Sequence, residues 1–122
     1  MKLEESIESF FKEYPKAFNR ADKRAAFLVG VLTKFLLDVQ FARRGSTPFR
    51  SKIYGLKLDE KRLKRIFYEA IEKLAEYNVG YPELQSLISK AFVKAEDEGW
   101  NLSKDEVSYY FALGLNLGGM FK

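Results

Sequence analysis

The chain has 122 residues, of which 47% are apolar and 31% charged, and this composition predicts a single folded domain over residues 1–122. It contains no cysteine and no histidine, which excludes disulfides and thiolate metal sites and removes the commonest general base. The formal net charge is +4, and because we see no signal-peptide pattern and no apolar run of about 18 residues, we expect a cytoplasmic chain without a membrane span, metal or cofactor.

The predicted elements begin with two helices. The first ends near Tyr14, because Pro15 disfavours helical geometry in the residue before it. Asn19 or Asp22 is expected to cap the second helix. From Ala25 onward the second helix is apolar on nearly all sides, which is typical of the buried centre of a helical bundle.

A break follows in the stretch FARRGSTPFRSKIYGLKL, residues 41–58. Gly45 predicts a left-handed C-cap for the second helix. Pro48 suits the first turn of a new, short helix, which Ser46 or Thr47 would cap. The stretch is therefore expected to be a turn between two helices.

Three longer helices complete the prediction. Asp59 is expected to cap the first of them. The next begins at about Pro82 and stops at Gly99. The last opens with Ser103 and Glu106, which have the spacing of a capping box, and it runs into a GGMFK end that we expect to fray.

The helical pattern predicts the fold class. No segment keeps a period of two, so we expect no sheet. Gly114 and Gly118, four residues apart, would allow close packing of the last helix. The sequence therefore predicts an all-α fold, a compact bundle of five or six helices whose short connections favour antiparallel neighbours.

Residue patterns for catalysis or metal binding are weak. Ser46 and Thr47 have no histidine to activate them, so capping and phosphate contact are the expected roles. The acidic run at 96–98 lacks a glycine-anchored calcium loop and is expected to be a solvated helix end. The GLNLGG segment follows a helix, whereas phosphate-cradling loops follow a strand. We expect the protein not to be an enzyme.

Positive charge is concentrated in one segment of the chain. Between Arg43 and Arg65 there are nine basic residues and two acidic ones, whereas the rest of the chain has more acidic than basic residues. Such asymmetry favours a polyanionic partner, and no recognition-helix pattern indicates base-specific reading. The alternative is that these lysines and arginines only solvate exposed faces.

Helix spacing and aromatic residues refine this prediction. If the helix after the break starts early enough, four basic residues are expected to share one side of it, namely Lys57, Lys61, Lys64 and Arg65. Tyr54 and Tyr68 could stack bases. Phe49 and Ile53 are expected to anchor the short helix in the core.

Three stretches carry a resemblance to a known family: RRGSTPFRSKIYGLKLDEKRLKRIF, YPELQSLISKAF and GWNLSKDEVSYYFALGLNL. Together they resemble the C-terminal part of the large subunit of type I-B CRISPR interference complexes, over about residues 25–117. In that family the segment is also made as a separate protein, the small helical subunit of the Cascade complex. A chain that begins at Met1 just ahead of LEESI fits that subunit, without the recognition of the protospacer-adjacent motif that the large-subunit body provides.

The resemblance implies a non-catalytic role inside such a complex. The implied partners are the large subunit, the backbone subunits and further copies of the chain, together with the guide RNA–target DNA hybrid and the displaced non-target strand. A basic face would hold these nucleic acids and stabilise the R-loop, with base pairing supplying the sequence specificity. Two other classes stay open: a scaffold without nucleic-acid contact, and a stand-alone helical DNA-binding regulator.

Charge and helix position, rather than the resemblance, select the candidate contact residues. The first set comprises Arg43, Arg44, Arg50, Lys52, Lys57, Lys61 and Arg65. A secondary set comprises Lys23, Arg24 and Lys34.

Overall fold

Six α-helices and a short 3₁₀ segment build the chain over residues 2–55 and 57–122, the part that the computed structural model describes. The elements are α1 (Leu3–Glu13), α2 (Ala21–Arg44), α3 (Arg50–Ile53), α4 (Glu60–Glu76), α5 (Pro82–Glu98), α6 (Lys104–Leu117) and the 3₁₀ segment Gly118–Phe121. No strand occurs within those two ranges. The predicted all-α bundle of five or six helices is confirmed.

The long helix α2 is the centre of the bundle, with α4, α5 and α6 packed around it. By length and composition it could cross a membrane, since an 18-residue window within it has a mean hydropathy of 1.6. The expectation that no apolar run is that long is therefore wrong. The other helices bury 72% of that window, as they bury the core helix of a bundle.

The backbones of α2 and α6 are in close contact. A Cβ atom added at Gly114 would overlap the carbonyl oxygen of Phe27, and one added at Gly30 would overlap the carbonyl oxygen of Phe111. A Cβ at Gly118 would lie 2.9 Å from Cβ of Lys34. Glycine is therefore required where the two helices touch, as predicted for α6.

These same contacts show that α2 and α6 run in the same direction, because residue numbers rise together along both helices. Helices α2 and α5 run antiparallel, since Ala21 contacts Glu98 and Phe35 contacts Tyr81. Neither pair is joined by a short connection, so the expectation of antiparallel neighbours does not apply to α2 and α6.

The N-terminus of α2 is not capped as predicted. The helix begins at Ala21, and the residue at its N-cap makes no side-chain capping bond. The Ala21 amide donates instead to Glu98 Oε1 of α5 (3.0 Å). Asp22 lies inside the first turn, where it accepts hydrogen bonds from the amides of Lys23 (2.8 Å) and Asn101 (3.0 Å). Acidic side chains thus satisfy the free N–H groups at the positive end of α2.

The remaining predicted helix ends agree better with the structure. Gly45 is left-handed at φ 70° and ends α2. Asp59 caps α4 by accepting from the Arg62 amide at 2.8 Å. Ser103 and Glu106 form the complete capping box of α6.

The C-terminal end does not fray. Phe121 is buried against the rings of Phe10 (5.5 Å between centroids) and Phe27 (6.1 Å). Lys122 Nζ lies 2.7 Å from Asp38 Oδ2 on α2. An apolar side chain and an ion pair therefore dock the last residues onto the bundle, and the expectation of a frayed end is wrong.

The ion pair at the C-terminus predicts a pH dependence of stability. Burial raises the pKa of Asp38, but hydrogen bonds from Lys122 and Lys34 outweigh it and bring the pKa below its usual value. Because the folded pKa lies below the unfolded one, the stabilisation is present at neutral pH and is lost as pH falls through the folded pKa. We expect Asp38→Asn to be less stable than the native chain by about 1 kcal/mol or less, because the pair is partly exposed.

Urea unfolding of both chains between about pH 7 and pH 2 checks this prediction. The difference in free energy should be constant above about pH 5 and should shrink below about pH 4. A difference that persists unchanged at pH 2 would show that the Asp38 carboxylate does not act through its charge.

Candidate nucleic-acid interface

The stretch after α2 folds as a tight turn and one helical turn. Gly45 donates its N–H to the Phe41 carbonyl at 2.8 Å, and α3 comprises only the four residues Arg50–Ile53. Ser46 and Thr47 make no side-chain capping bond, so that prediction is wrong. Thr47 contributes its backbone carbonyl instead, which accepts from the Arg50 amide at 3.0 Å.

A buried hydrogen bond positions this turn on the bundle. Gln40 of α2 is buried, and its Oε1 accepts from the amide of Phe49 at 3.0 Å. Phe49 and Ile53 are themselves buried, which confirms them as anchors of the short helix. Gln40 was not predicted from the sequence, where its polar side chain at the end of the apolar stretch of α2 was the available signal.

Helix α4 packs on α2 with one apolar stripe, formed by Leu63, Ile66, Phe67, Ala70 and Leu74. Beside that stripe, a row of charged residues faces α3. Lys52 Nζ of α3 lies 3.7 Å from Glu69 Oε2 of α4, so an ion pair joins the two helices. This contact brings basic residues from two separate segments to one surface.

Two adjoining grooves define what we call the basic surface. The first, of about 350 Å³, is lined by Ile66 and by the charged residues Lys52, Arg62, Arg65 and Glu69. The second, of about 230 Å³, is lined among others by Arg44, Lys52, Lys73 and Glu76. Lys52 borders both, so we define the basic surface by its five cations: Arg44, Lys52, Arg62, Arg65 and Lys73.

Two of these cations were not selected from the sequence. Arg62 belongs to the basic segment, and Lys73 lies outside it. The available signal was the spacing of residues 62, 65, 69, 73 and 76, which places them beside the apolar stripe on one side of α4.

The predicted grouping of four basic residues on one side of α4 is wrong. The helix begins only at Glu60, so Lys57 precedes it, and Lys57 Nζ lies 3.6 Å from Asp105 Oδ1 of α6. Lys64 Nζ lies 5.6 Å from the centre of the Phe92 ring on α5. Arg65, unlike Lys57 and Lys64, lines the first groove of the basic surface.

The other residues of the first predicted set lie near the basic surface or apart from it. Lys61 is exposed one turn before Arg65 and extends the surface outward. Arg43 donates from Nη1 to the carbonyl of Tyr77 at the C-cap of α4 (3.2 Å), which is a contact within the fold. Arg50 is exposed and borders a different groove, between α3 and α6.

The secondary set is scattered along α2 and is not brought to the basic surface. Lys23 Nζ bonds Asn19 Oδ1 at 3.0 Å. Lys34 Nζ bonds Asp38 Oδ1 at 2.9 Å. Arg24 lines a groove between α1 and α5.

The charge of the basic surface is only partly balanced by its own carboxylates. Five cations face Glu69 and Glu76, of which Glu76 lies 3.1 Å from Lys73 Nζ. Both ion pairs are at least partly exposed, and such pairs contribute little net free energy. Little free energy therefore opposes the separation of either pair.

The two candidate stacking tyrosines and the acidic run lie outside the two grooves of the basic surface. Tyr54 is 82% exposed and Tyr68 is 60% exposed, so both rings are accessible for stacking. In the described residues no group of three or more acidic side chains could hold a metal ion. The acidic run at 96–98 is partly structural, since Glu98 caps α2.

Comparison with known proteins identifies the family of the chain. No curated protein and no solved structure matches the chain significantly. A family model described as CRISPR-associated protein TM1802 (cas_TM1802) C-terminal domain matches residues 1–122. The match covers the whole sequence, including both grooves of the basic surface. The chain therefore belongs to the C-terminal domain family of the CRISPR-associated TM1802 proteins.

Proposed function

We propose that this protein is a non-catalytic component of a cytoplasmic CRISPR interference complex and holds nucleic acid by its phosphate backbone on the basic surface. The observation that carries the proposal is the convergence of five cations from α2, α3 and α4 on two adjoining grooves. Family membership supports the CRISPR context. The resemblance to the C-terminal part of type I-B large subunits supports the more specific role of a Cascade small subunit.

The chemistry of the surface suits phosphate rather than bases. Arg62 and Arg65 present guanidinium groups that bind phosphate oxygens in a forked geometry. Lys52, between the two grooves, is the shared point charge along the track. Such a track is tolerant of sequence, as expected where the guide RNA reads the target by base pairing.

Holding a strand on this surface would stabilise the R-loop. A displaced strand that is bound to the protein cannot re-anneal readily, so the open state is favoured by the binding free energy. The partners are then the guide–target hybrid or the displaced strand, with the large and backbone subunits and further copies of this chain as protein neighbours. The basic surface carries no dedicated base-reading pattern, which favours this role over a sequence-specific regulator.

Binding to a single-stranded DNA of unrelated sequence tests the proposal. If about four phosphates are neutralised, log K should fall with log[salt] with a slope of about −3. Reversing Arg62 and Arg65 to Glu should weaken binding about thirtyfold or more at low salt and flatten the slope by about 1.4. Fluorescence anisotropy with a labelled strand, over about 50 to 200 mM salt, measures both quantities.

A matched variant separates the basic surface from net charge. Lys90→Glu with Lys94→Glu makes the same change in charge on α5, away from the basic surface, and should leave the slope nearly unchanged. If both double variants lost the same affinity for the strand, binding would not be localised to the basic surface. Absence of binding by the native chain would favour the scaffold, and a marked sequence preference would favour the regulator. Either result would overturn the proposal.

A further inference from the structure

A separate groove, away from the basic surface, lies between α1 and α5 and has a volume of about 500 Å³. Its floor is α2, through the buried residues Ala21 and Leu28. Its walls expose apolar area from Phe11 on α1 and from Leu87 and Ala91 on α5, all of which are only partly buried. The groove is therefore an apolar trough open to solvent along its length.

The two rims of this groove differ in charge. Glu4 and Glu8 stand on the α1 rim and Lys90 and Lys94 on the α5 rim, while Lys12 of α1 and Arg24 of α2 add two further cations to the lining. None of these six charged residues takes part in the ion pairs found among the described residues. On the basic surface, by contrast, Lys52 is paired within the fold. The rim charges are thus available to an incoming group.

We propose that this groove docks an amphipathic α-helix of a partner protein. The apolar stripe of that helix would cover Phe11, Leu87 and Ala91, as in other helix-in-groove complexes. Acidic residues on one flank of the stripe would pair with the α5 rim, and basic residues on the other flank would pair with the α1 rim. Because α1 has 11 residues, about 16 Å of helix would fit along it.

The charges distinguish this occupant from a second copy of the chain. The C-terminal part of the chain has an uncharged exposed face, which includes Tyr109 of α6 and Met120 of the following 3₁₀ segment. The sequence has no charged residue between Glu106 and Lys122. Docking by that face would cover the groove but leave all four rim charges without partners, which disfavours it.

A synthetic helix provides the probe. The peptide has about 11 residues, the length that fits along α1, with leucines at i, i+3, i+4 and i+7, glutamates on one flank and lysines on the other. We expect it to bind with a dissociation constant below about 100 µM and to gain helical circular dichroism. A control peptide with glutamine on both flanks should bind about tenfold more weakly, since it retains the apolar stripe but not the ion pairs.

Reversing the charges on the two rims tests whether each flank of the peptide pairs with the rim of opposite charge. Lys90→Glu with Lys94→Glu should weaken binding of the charged peptide about tenfold and leave the glutamine peptide unaffected. Adding Glu4→Lys and Glu8→Lys exchanges the two rims and should restore binding, because the peptide can then dock end for end. A nitroxide at the peptide N-terminus would detect that reversal by broadening NMR signals at the opposite end of the groove.

Several results would overturn the inference. It is wrong if neither peptide binds with a dissociation constant below about 100 µM. It is also wrong if the variant with Lys90→Glu and Lys94→Glu binds the charged peptide with the same affinity as the native chain. Sedimentation velocity of the chain alone gives an independent check. Self-association that is lost on changing Lys90 and Lys94 would identify a second copy as the occupant. The proposal does not depend on strand binding, which is measured at the basic surface.

Discussion

Gly114→Ala should lower the free energy of unfolding by at least about 3 kcal/mol, a large part of the total stability of a domain of this size. The new methyl group would overlap the carbonyl oxygen of Phe27. Both atoms belong to helices, so relief requires α2 and α6 to separate rather than a side chain to rotate. Separation would reduce the packing between the two helices along their whole contact.

Gly119→Ala is the matched control. A Cβ atom there would have its nearest neighbour at 3.9 Å, on the flexible end of Lys34, so the change should be nearly neutral. Urea denaturation followed by circular dichroism compares the variants. Equal stability of Gly114→Ala and the native chain would contradict the close contact of α2 with α6. Gly30→Ala, on the other side of the same contact, should behave like Gly114→Ala.

Asp22→Ala should cost about 3 kcal/mol or more of stability. The Asp22 side chain is fully buried and accepts from the amides of Lys23 and Asn101. Its Oδ1 also lies 3.4 Å from Nε of Arg20, whose Nη2 donates to the carbonyl of Gly99 at 2.6 Å. Removing the carboxylate leaves two N–H groups without acceptors and a partly buried guanidinium without its counter-charge.

Two further substitutions separate charge from hydrogen bonding. Asp22→Asn retains one acceptor oxygen and should lose roughly half as much stability. Asp97→Ala removes an exposed carboxylate near the C-terminus of α5 and should change stability by less than about 0.5 kcal/mol. Thermal unfolding monitored by calorimetry measures the stability of all three variants. The proposed role of Asp22 is refuted if its alanine variant is as stable as that of Asp97.

The contact of Gly114 with Phe27 and the hydrogen bonds of Asp22 matter for the basic surface because both fix the position of α2, on which α3 and α4 pack. Gln40 near the end of α2 holds α3 through Phe49, and α4 packs directly on α2. A shift of α2 would therefore change the separation of Lys52 from Arg62 and Arg65. Stability and strand affinity should fall together in Gly114→Ala, whereas changes confined to the basic surface should reduce affinity alone.

Local chemistry allowed the sequence to predict most helix ends. The C-cap at Gly45, the N-cap at Asp59 and the capping box from Ser103 each depend on residues within four positions of one another. The apolar stripes likewise have a period that is set inside one helix. For the same reason the fold class and the concentration of positive charge can be predicted from the sequence alone.

Contacts between distant segments could not be predicted in this way. The parallel packing of α2 on α6, the docking of Phe121 and the capping of Ala21 by Glu98 join residues far apart in the sequence. No local pattern encodes them, because each depends on which helix faces are adjacent after packing.

The candidate site likewise has features that the sequence predicts and features that depend on tertiary packing. The sequence by itself determined that the chain is helical and that its positive charge follows the break after α2. Only the tertiary structure decided that Lys52 joins Arg62 and Arg65, while Lys57 and Lys64 turn toward α6 and α5. The physical reason is that charge is a property of each residue, whereas a binding surface requires several residues to be brought together by packing.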